Sequence, residues 1–363
     1  MRGTTAAGSP AGGRRASVIS PAVDFLSLGG LSLLVLVPLL LTGRTELVWL
    51  GAGAQAYVAT AINMPHFLAS YRLVYRDAAT MRRHPWAAFG IPALLLAACV
   101  AALWEPAVVG TLLVTVSSVY LAWHYTGQVW GMMAVHAHLQ GGRFDPGERR
   151  LVKGSLHILL AWHVAWFLVT QLRDPARVRP LYLAVSATTL LAVALGAVAF
   201  WRMARRTGRA VPVLVVTPWL ALLVWYAAMA RDPRALFWVQ IAHALQYLAF
   251  PLRVEANAHA EAQHRREGRP RLPMAAHLAV YAVLLLAASW GVAQLVPVAL
   301  MGAVGRAFGE EPGKAAPILL LSFINIHHYF TDGVLWKLRN PEVQRQLFAH
   351  VAPPVVVPPS GRG

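Results

Sequence analysis

The sequence predicts an all-α fold, a polytopic integral membrane bundle of about ten transmembrane helices with both termini in the cytoplasm. Three observations predict it. Of the 363 residues, 57% are hydrophobic and only 13% are charged, which is far more apolar than a soluble domain. Long apolar runs recur along the chain, and short arginine-rich segments separate them. One soluble core could not bury so many runs, so lipid is the expected solvent.

The elements follow one another within a single transmembrane domain at residues 23–340. Residues 1–22 are small, polar and rich in glycine and proline, so they are expected to form a disordered tail. Residues 341–363 are expected to form a polar cytoplasmic tail in which prolines prevent a continued helix. The fourth span is too long for one straight crossing and should tilt or protrude. The predicted spans are 25–41, 47–70, 87–104, 107–139, 152–172, 180–201, 211–229, 235–257, 274–297 and 317–338.

The basic residues set the expected orientation. If the spans alternate in direction, 24 of the 32 lysines and arginines fall on one side and 8 on the other. Basic loops stay in the cytoplasm, so both termini are expected there, which requires an even number of spans. The same rule explains the formal charge of +17 without a nucleic-acid partner, and none is expected.

Any metal centre in this protein must use histidine. The single cysteine, Cys99, lies in an apolar run and excludes both a disulfide framework and a cysteine-based metal site. Ionisable residues inside a membrane are costly and usually functional. The candidates for metal ligands lie within the even-numbered spans, which all run towards the cytoplasm, and are His66, His124, His243, His327 and His328.

These histidines should lie at similar depth and can present imidazoles to one shared site. A single intramembrane histidine more often hydrogen-bonds across helices, but four aligned segments favour a metal. Asp332 follows His328 by four residues and His327 by five, so it is a candidate ligand, orienting group or catalytic residue. His157 and His277, near the cytoplasmic face, are further candidates to complete the site.

Other polar residues surround the motif histidines at helical spacing. Side-chain amides within one turn of a histidine are candidates to bind the cofactor, namely Gln128, Gln246, Asn63 and Asn325. Tyrosines that neighbour a motif histidine or glutamine are candidate catalytic residues, namely Tyr125, Tyr247 and Tyr329. Because polar groups in lipid need partners, a connected buried network is expected.

The four motifs resemble those of the bacterial Brp/Blh-type beta-carotene 15,15'-dioxygenases, polytopic proteins that hold iron through histidines on several helices. Pro65–His66 is similar to the P-H-x-x-x-D motif, and His124–Tyr125 to H-F-G-x-x-D. His243 is similar to the first residue of H-x-x-x-H, and His327 with Asp332 to P-H-x-x-x-x-D. The resemblance implies Fe(II), a carotenoid-like substrate and a bacterial inner-membrane location.

The sequence departs from this pattern at several positions. In the first motif, Ser70 or Tyr71 replaces the carboxylate expected after His66. In the second motif, Val129, with Gln128 beside it, replaces the expected carboxylate. In the third motif, Tyr247 replaces the second histidine. His328 is an additional histidine. The H-x-x-H-H boxes of fatty-acid desaturases and hydroxylases are missing as well, which favours one iron over two.

The leading hypothesis is therefore an iron-dependent membrane oxygenase or related oxidoreductase. Its partners would be membrane lipid, dioxygen and a hydrophobic substrate such as a carotenoid, isoprenoid or acyl chain. One alternative is a non-enzymatic protein that binds b-type haem through two of these histidines. Another is a transporter of protons or metal ions that uses the same histidines and Asp332.

Overall fold

The computed structural model describes residues 16–44, 50–171, 175–264, 272–337 and 340–351. All regular secondary structure in these ranges is helical, and nine of the helices are long and apolar enough to cross a membrane. The protein is therefore an all-α, multi-pass integral membrane protein, which confirms the predicted fold class. The count of ten spans and the cytoplasmic termini stay predictions.

Twelve helices follow one another along the described residues, and several are interrupted by short kinked or wide turns. One 3₁₀ turn, Pro175–Arg177, precedes the seventh helix. The helices are α1 (Pro21–Thr42), α2 (52–74), α3 (Ala78–Arg83), α4 (Trp86–Trp104), α5 (Pro106–Leu139), α6 (Pro146–Gln171), α7 (Arg179–Thr207), α8 (Val213–Arg231), α9 (Ala235–His264), α10 (Met274–Phe308), α11 (Glu310–Leu335) and α12 (Pro341–Phe348).

The second predicted span, 47–70, corresponds to α2. Residues 47–49 lie outside the described residues. At 1.5 Å per residue, α2 is about 34 Å long, which is enough to cross the hydrocarbon core. It is more polar than the nine long apolar helices because it carries His66, Ser70 and Arg72. Polarity, not length, therefore sets α2 apart from the other spans.

Helix α5 has 34 residues, which corresponds to about 51 Å of helix against a hydrocarbon core of about 30 Å. The fourth span therefore either tilts or extends beyond the hydrocarbon, as the sequence predicts. Just beyond its carboxyl end, Gln140 donates a hydrogen bond from Nε2 to the carbonyl of Ala16 at 2.9 Å. This end of α5 thus contacts the amino-terminal segment of the described chain.

Helix α1 bends at Gly29, whose φ of 120° is outside the helical region. A Cβ at this position would lie 2.3 Å from the Cβ of Ala221 in α8, so glycine allows the two helices to approach closely. The carbonyls at the bend accept hydrogen bonds from side chains: Leu28 O from Gln246 Nε2 at 2.7 Å and Gly29 O from Ser32 Oγ at 2.7 Å. The bend thereby joins α1 to α9.

We expect Gly29→Ala to lower the free energy of unfolding by at least about 2 kcal/mol, because it adds both backbone strain and overpacking. Gly43→Ala is the matched control: Gly43 also has a positive φ, of 69°, but nothing lies within 4 Å of the position of its Cβ. The unfolding midpoint in detergent would measure both effects. Equal midpoints for the two variants would contradict the role of the α1–α8 contact.

The first and last described segments meet on one face of the bundle. Asp24 accepts hydrogen bonds from the backbone N–H groups of Val18 at 2.7 Å and Ile19 at 2.9 Å, and Val18 is buried. A ring nitrogen of His350 lies 2.9 Å from the carbonyl of Ser17. Residues 16–22 are therefore ordered against the bundle, contrary to the predicted tail, while residues 1–15 lie outside the described residues.

Residues 341–348, in the predicted polar tail, form a separate helix, α12, after the end of α11 at Leu335. Pro341 occupies the first turn, where a proline is tolerated because its missing N–H has no helical partner. The side chain of Asn340 accepts a hydrogen bond from the Glu342 N–H at 3.0 Å, and Leu347 is buried against the bundle. The sequence did not predict this separate, packed helix. Residues 352–363 lie outside the described residues.

The helices differ in how deeply they are buried. In the most apolar stretch of α8, 61% of the residues are buried, against 6% in α10. Helix α8 is thus central, while α10 exposes mostly leucine, valine and alanine, as expected of a surface that faces lipid. Helices α2, α5, α9 and α11 pack against one another and bury most of the motif histidines.

Candidate metal centre

Three histidines and one aspartate from three helices converge inside the bundle. His66 on α2, His124 on α5, and His328 and Asp332 on α11 are all buried, and one possible ligand atom from each lies within 4.8 Å of the others. We call these four residues the His–Asp group. It is the one group of this composition and density among the residues that the structure describes. Imidazole nitrogens and a carboxylate are common ligands of transition metals.

His243 on α9 lies directly beside the His–Asp group. Its ring centroid is 5.1 Å from that of His66 and 4.9 Å from that of His124. The side chain is 2% exposed, and neither ring nitrogen has a hydrogen-bond partner in the described structure. His243 thus completes a ring of four imidazoles, although it does not belong to the tightest set of potential ligands.

The buried imidazoles lack the hydrogen bonds that such groups normally make. A buried polar atom without a partner costs about 1–3 kcal/mol, so several together at one point require an explanation. A bound metal ion explains them, because neutral imidazole binds metals through the lone pair of a ring nitrogen. Within the described structure, the nitrogens without a hydrogen-bond partner include Nε2 of His66 and His124 and both ring nitrogens of His243 and His328.

The two carboxylate oxygens of Asp332 have different neighbours: one accepts hydrogen bonds from two hydroxyl groups, and the other lies near the histidines. Oδ1 accepts hydrogen bonds from Ser70 Oγ at 2.7 Å and Tyr247 OH at 3.1 Å. Oδ2 lies 3.4 Å from Nε2 of His328 and 3.9 Å from Nε2 of His124. The two hydroxyls fix the orientation of the carboxylate, so that Oδ2 can act as a ligand beside the imidazoles.

The hydroxyl pair is itself held in place. Ser70 Oγ and Tyr247 OH are 2.5 Å apart, and Trp336 Nε1 donates a hydrogen bond to Tyr247 OH at 3.0 Å. Trp336, directly after the end of α11, follows Asp332 by four residues, and Ser70 follows His66 by four on α2, so each lies about one turn from the group. That spacing is the sequence signal from which both positioning residues could have been found.

His327 lies outside the His–Asp group. One of its ring nitrogens, Nε2, is 2.8 Å from the carbonyl of Ala87 at the start of α4, and its ring stacks on Tyr71 with centroids 4.7 Å apart. Adjacent residues of a helix point about 100° apart, so only one of His327 and His328 can face the group. The structure places His328 there and uses His327 to join α11 to α4.

The two glutamines bond to backbone carbonyls and to each other. Gln128 Nε2 donates to the carbonyl of His243 at 3.0 Å and to Gln246 Oε1 at 3.3 Å. Gln246 Nε2 in turn donates to Leu28 O at the α1 bend. This chain of contacts holds α5, α9 and α1 together and so fixes the rotation of the helices that carry His124 and His243.

Two of the candidate tyrosines pack against the imidazoles. The ring of Tyr329 stacks on His124 with centroids 4.5 Å apart, and the ring of Tyr125 lies 4.3 Å from that of His243. The hydroxyl of Tyr125 is buried without a hydrogen-bond partner in the described structure. Both rings restrict the orientation of the histidine that each one contacts.

The remaining candidates lie outside the His–Asp group. Asn63 and Asn325 are partly buried, and His157 is exposed. His277 lies 2.9 Å from Glu255 Oε1 and stacks on His259 with centroids 4.1 Å apart. The structure therefore gives His277 a different set of neighbours from those of the four imidazoles.

A cavity of about 240 Å³ adjoins the His–Asp group and exposes His124 and Asp332. It follows α5 over about three turns, and side chains of α9, α11 and α12 form its other walls. Most of its wall is apolar or glycine. The lining residues are Trp123, His124, Gly127, Gln128, Gly131, Met132, Val135, Tyr247, Phe250, Tyr329, Asp332, Gly333, Trp336 and Leu347.

Comparisons of the chain with protein-family models, with curated proteins and with solved structures found no match. The geometry of the described residues therefore carries the functional argument. It establishes a multi-pass membrane protein with a buried group of three histidines and one aspartate that could hold a metal ion.

Proposed function

We propose that the His–Asp group binds one iron(II) ion and that the protein is an oxygenase or related oxidoreductase acting on a lipophilic substrate. The observation that carries this proposal is the convergence of buried imidazoles without hydrogen-bond partners on one carboxylate. Nitrogen-rich sites with one carboxylate are typical of non-haem iron enzymes. Iron held there would supply redox chemistry with dioxygen that no side chain of the group can perform.

The protein residues have distinct roles in this proposal. His66, His124, His328 and Asp332 hold the ion, and His243 is a further ligand or a wall of the site. Ser70 and Tyr247 keep Oδ1 of Asp332 occupied, which leaves Oδ2 directed at the imidazoles. The apolar part of the cavity wall keeps water away and admits a hydrophobic substrate next to the group.

The resemblance to the Brp/Blh-type dioxygenases remains part of the proposal, with one new support. Two positions that depart from the family pattern, Ser70 and Tyr247, both hydrogen-bond to the same oxygen of Asp332. The two replaced residues therefore contact the same carboxylate, although they lie on different helices. On this basis we propose a distant relative in the bacterial cytoplasmic membrane, with the group towards the cytoplasmic side and a carotenoid, isoprenoid or acyl chain as substrate.

The compactness of the site favours a directly bound ion over b-type haem. Ring centroids of the contacting pairs among the four imidazoles lie between 4.2 and 6.3 Å apart, which leaves little room for a porphyrin between two axial imidazoles. A transporter would need polar residues on both sides of the group. On α11 the residues at 318–321, which precede the group, are all apolar.

Metal analysis of the purified wild-type protein in detergent tests the function. We expect about one iron per chain and an absorption spectrum without a Soret band, because the imidazoles bind the ion directly. A protein purified without any transition metal, also after incubation with iron(II) under anaerobic conditions, would contradict the proposal. A strong Soret band would instead favour the haem alternative.

A further inference from the structure

The cavity beside the His–Asp group has walls of bare backbone at three positions. Gly127 and Gly131 on α5 and Gly333 on α11 all line it. On α5 the spacing from His124 to Gly127 and then Gly131 is three and four residues, which places all three on one helical face. The glycines thus continue the wall that begins at a residue of the His–Asp group.

Helix packing does not explain these glycines. A Cβ built at any of the three positions would meet no atom within 4 Å, so alanine would fit at each. A glycine within a helix costs about 1 kcal/mol relative to alanine. The missing side chains of these glycines therefore widen the cavity, and the helices are less stable than with alanine. They do not bring the helices closer together.

The cavity also opens sideways. Gly127 is exposed although it lies well inside the long helix α5, and Gly333 is exposed in the last turn of α11. Trp123 on α5, which also lines the cavity, is 57% exposed. Within a membrane-spanning segment, such exposed positions face lipid. An apolar molecule dissolved in the bilayer can thus enter between α5 and α11 without passing through water.

A second observation points to a ligand at this place. His124, which is 7% exposed, lines the cavity and has a ring nitrogen, Nε2, without a hydrogen-bond partner in the described structure. Met132, Val135 and Phe250 make the wall beyond it apolar. The cavity therefore combines a metal-binding group with an apolar slot, and its volume of about 240 Å³ is below the ~300–1,000 Å³ of pockets that enclose a whole drug-sized ligand.

We propose that this slot binds one end of a slender, unbranched alkyl chain that enters from the bilayer, and that Gly127, Gly131 and Gly333 determine this specificity. The inference rests on the metal site proposed above and names the shape of the substrate that reaches it. Without side chains at these positions, the space is narrow and an extended chain fills it. A side chain at any of these positions would occupy this space and block the chain. A bulky ring on the ligand would be too wide for it.

The test uses the full-length protein in detergent, loaded with Co(II), whose visible absorption reports ligand binding at the metal. The probes are imidazole and 1-dodecylimidazole, which share a metal-binding head and differ in the chain. Gly131→Leu fills the slot, and Gly127→Leu does so from an independent position. Gly291→Leu is the matched control, because Gly291 also lies in a helix with nothing within 4 Å of its Cβ position but does not line the cavity.

We expect both slot variants to bind imidazole as the wild type does and to lose at least about tenfold of the extra affinity that the dodecyl chain confers, since each buried CH₂ contributes about 0.8 kcal/mol. Gly291→Leu should keep that extra affinity, and 1-adamantylimidazole should bind the wild type more weakly than 1-dodecylimidazole. An equal advantage of the dodecyl chain in the wild type and both slot variants overturns the inference alone. Absence of bound cobalt in the wild type overturns the proposed metal site and this inference with it.

Discussion

Replacement of His328 by alanine is expected to remove the bound metal, whereas His327→Ala leaves the metal content unchanged. His328 faces the His–Asp group, with Nε2 3.4 Å from Asp332 Oδ2, while His327 faces Ala87. The two variants remove the same side chain from adjacent positions of one helix. A difference in metal content between the two variants therefore depends on the direction in which the imidazole points, because both variants lose one imidazole from α11.

Loss of a ligand should weaken metal binding by at least about 100-fold, because even residues that only orient a ligand contribute 10–100-fold. His327→Ala should cost about 1 kcal/mol of stability through its lost hydrogen bond. Metal content after purification and competition with a chelator measure the first effect, and the unfolding midpoint measures the second. Equal loss of metal from both variants would show that the orientation of α11 described above is incorrect.

Asp332→Asn is expected to have the second large effect. The substitution preserves the shape of the side chain and an oxygen that can accept from Ser70 and Tyr247, but it removes the negative charge from the site. Metal affinity should fall by at least about 100-fold, because Oδ2 lies among the imidazoles as a potential ligand.

Tyr247→Phe provides a graded comparison for Asp332→Asn. It removes one hydrogen bond to Oδ1 and leaves the carboxylate and Ser70 in place, so the loss of metal affinity should stay within about 10–100-fold. Chelator competition under identical detergent conditions measures both variants. If Asp332→Asn bound metal as tightly as the wild type, the carboxylate would be excluded from the centre.

The amino-acid sequence was sufficient for the helices and for the segments that carry the site. Apolar runs of about 20 residues predict membrane-spanning helices because every backbone polar group in lipid must be bonded within its own segment. The predicted spans at 87–104 and 211–229, for example, correspond closely to α4 and α8. The motif histidines were found because ionisable residues in such runs are rare and costly.

Two terminal segments could not be predicted in this way. Residues 16–22 and 341–348 belong to terminal stretches whose overall composition suggests tails, but the structure packs both against the bundle, where Val18 and Leu347 are buried. Their order depends on contacts with residues that are distant in sequence, such as that between His350 and Ser17. Local composition contains no information about these contacts.

By itself, the sequence determined that this is a helical membrane protein with histidines and Asp332 buried on several helices. Only the tertiary structure decided that His328 and not His327 faces the group, that Ser70 and Tyr247 orient Asp332, and that the glutamines bond to the backbone. The physical reason is rotation about the helix axis. Neighbouring residues point about 100° apart, and the packing of the other helices selects which direction faces inward.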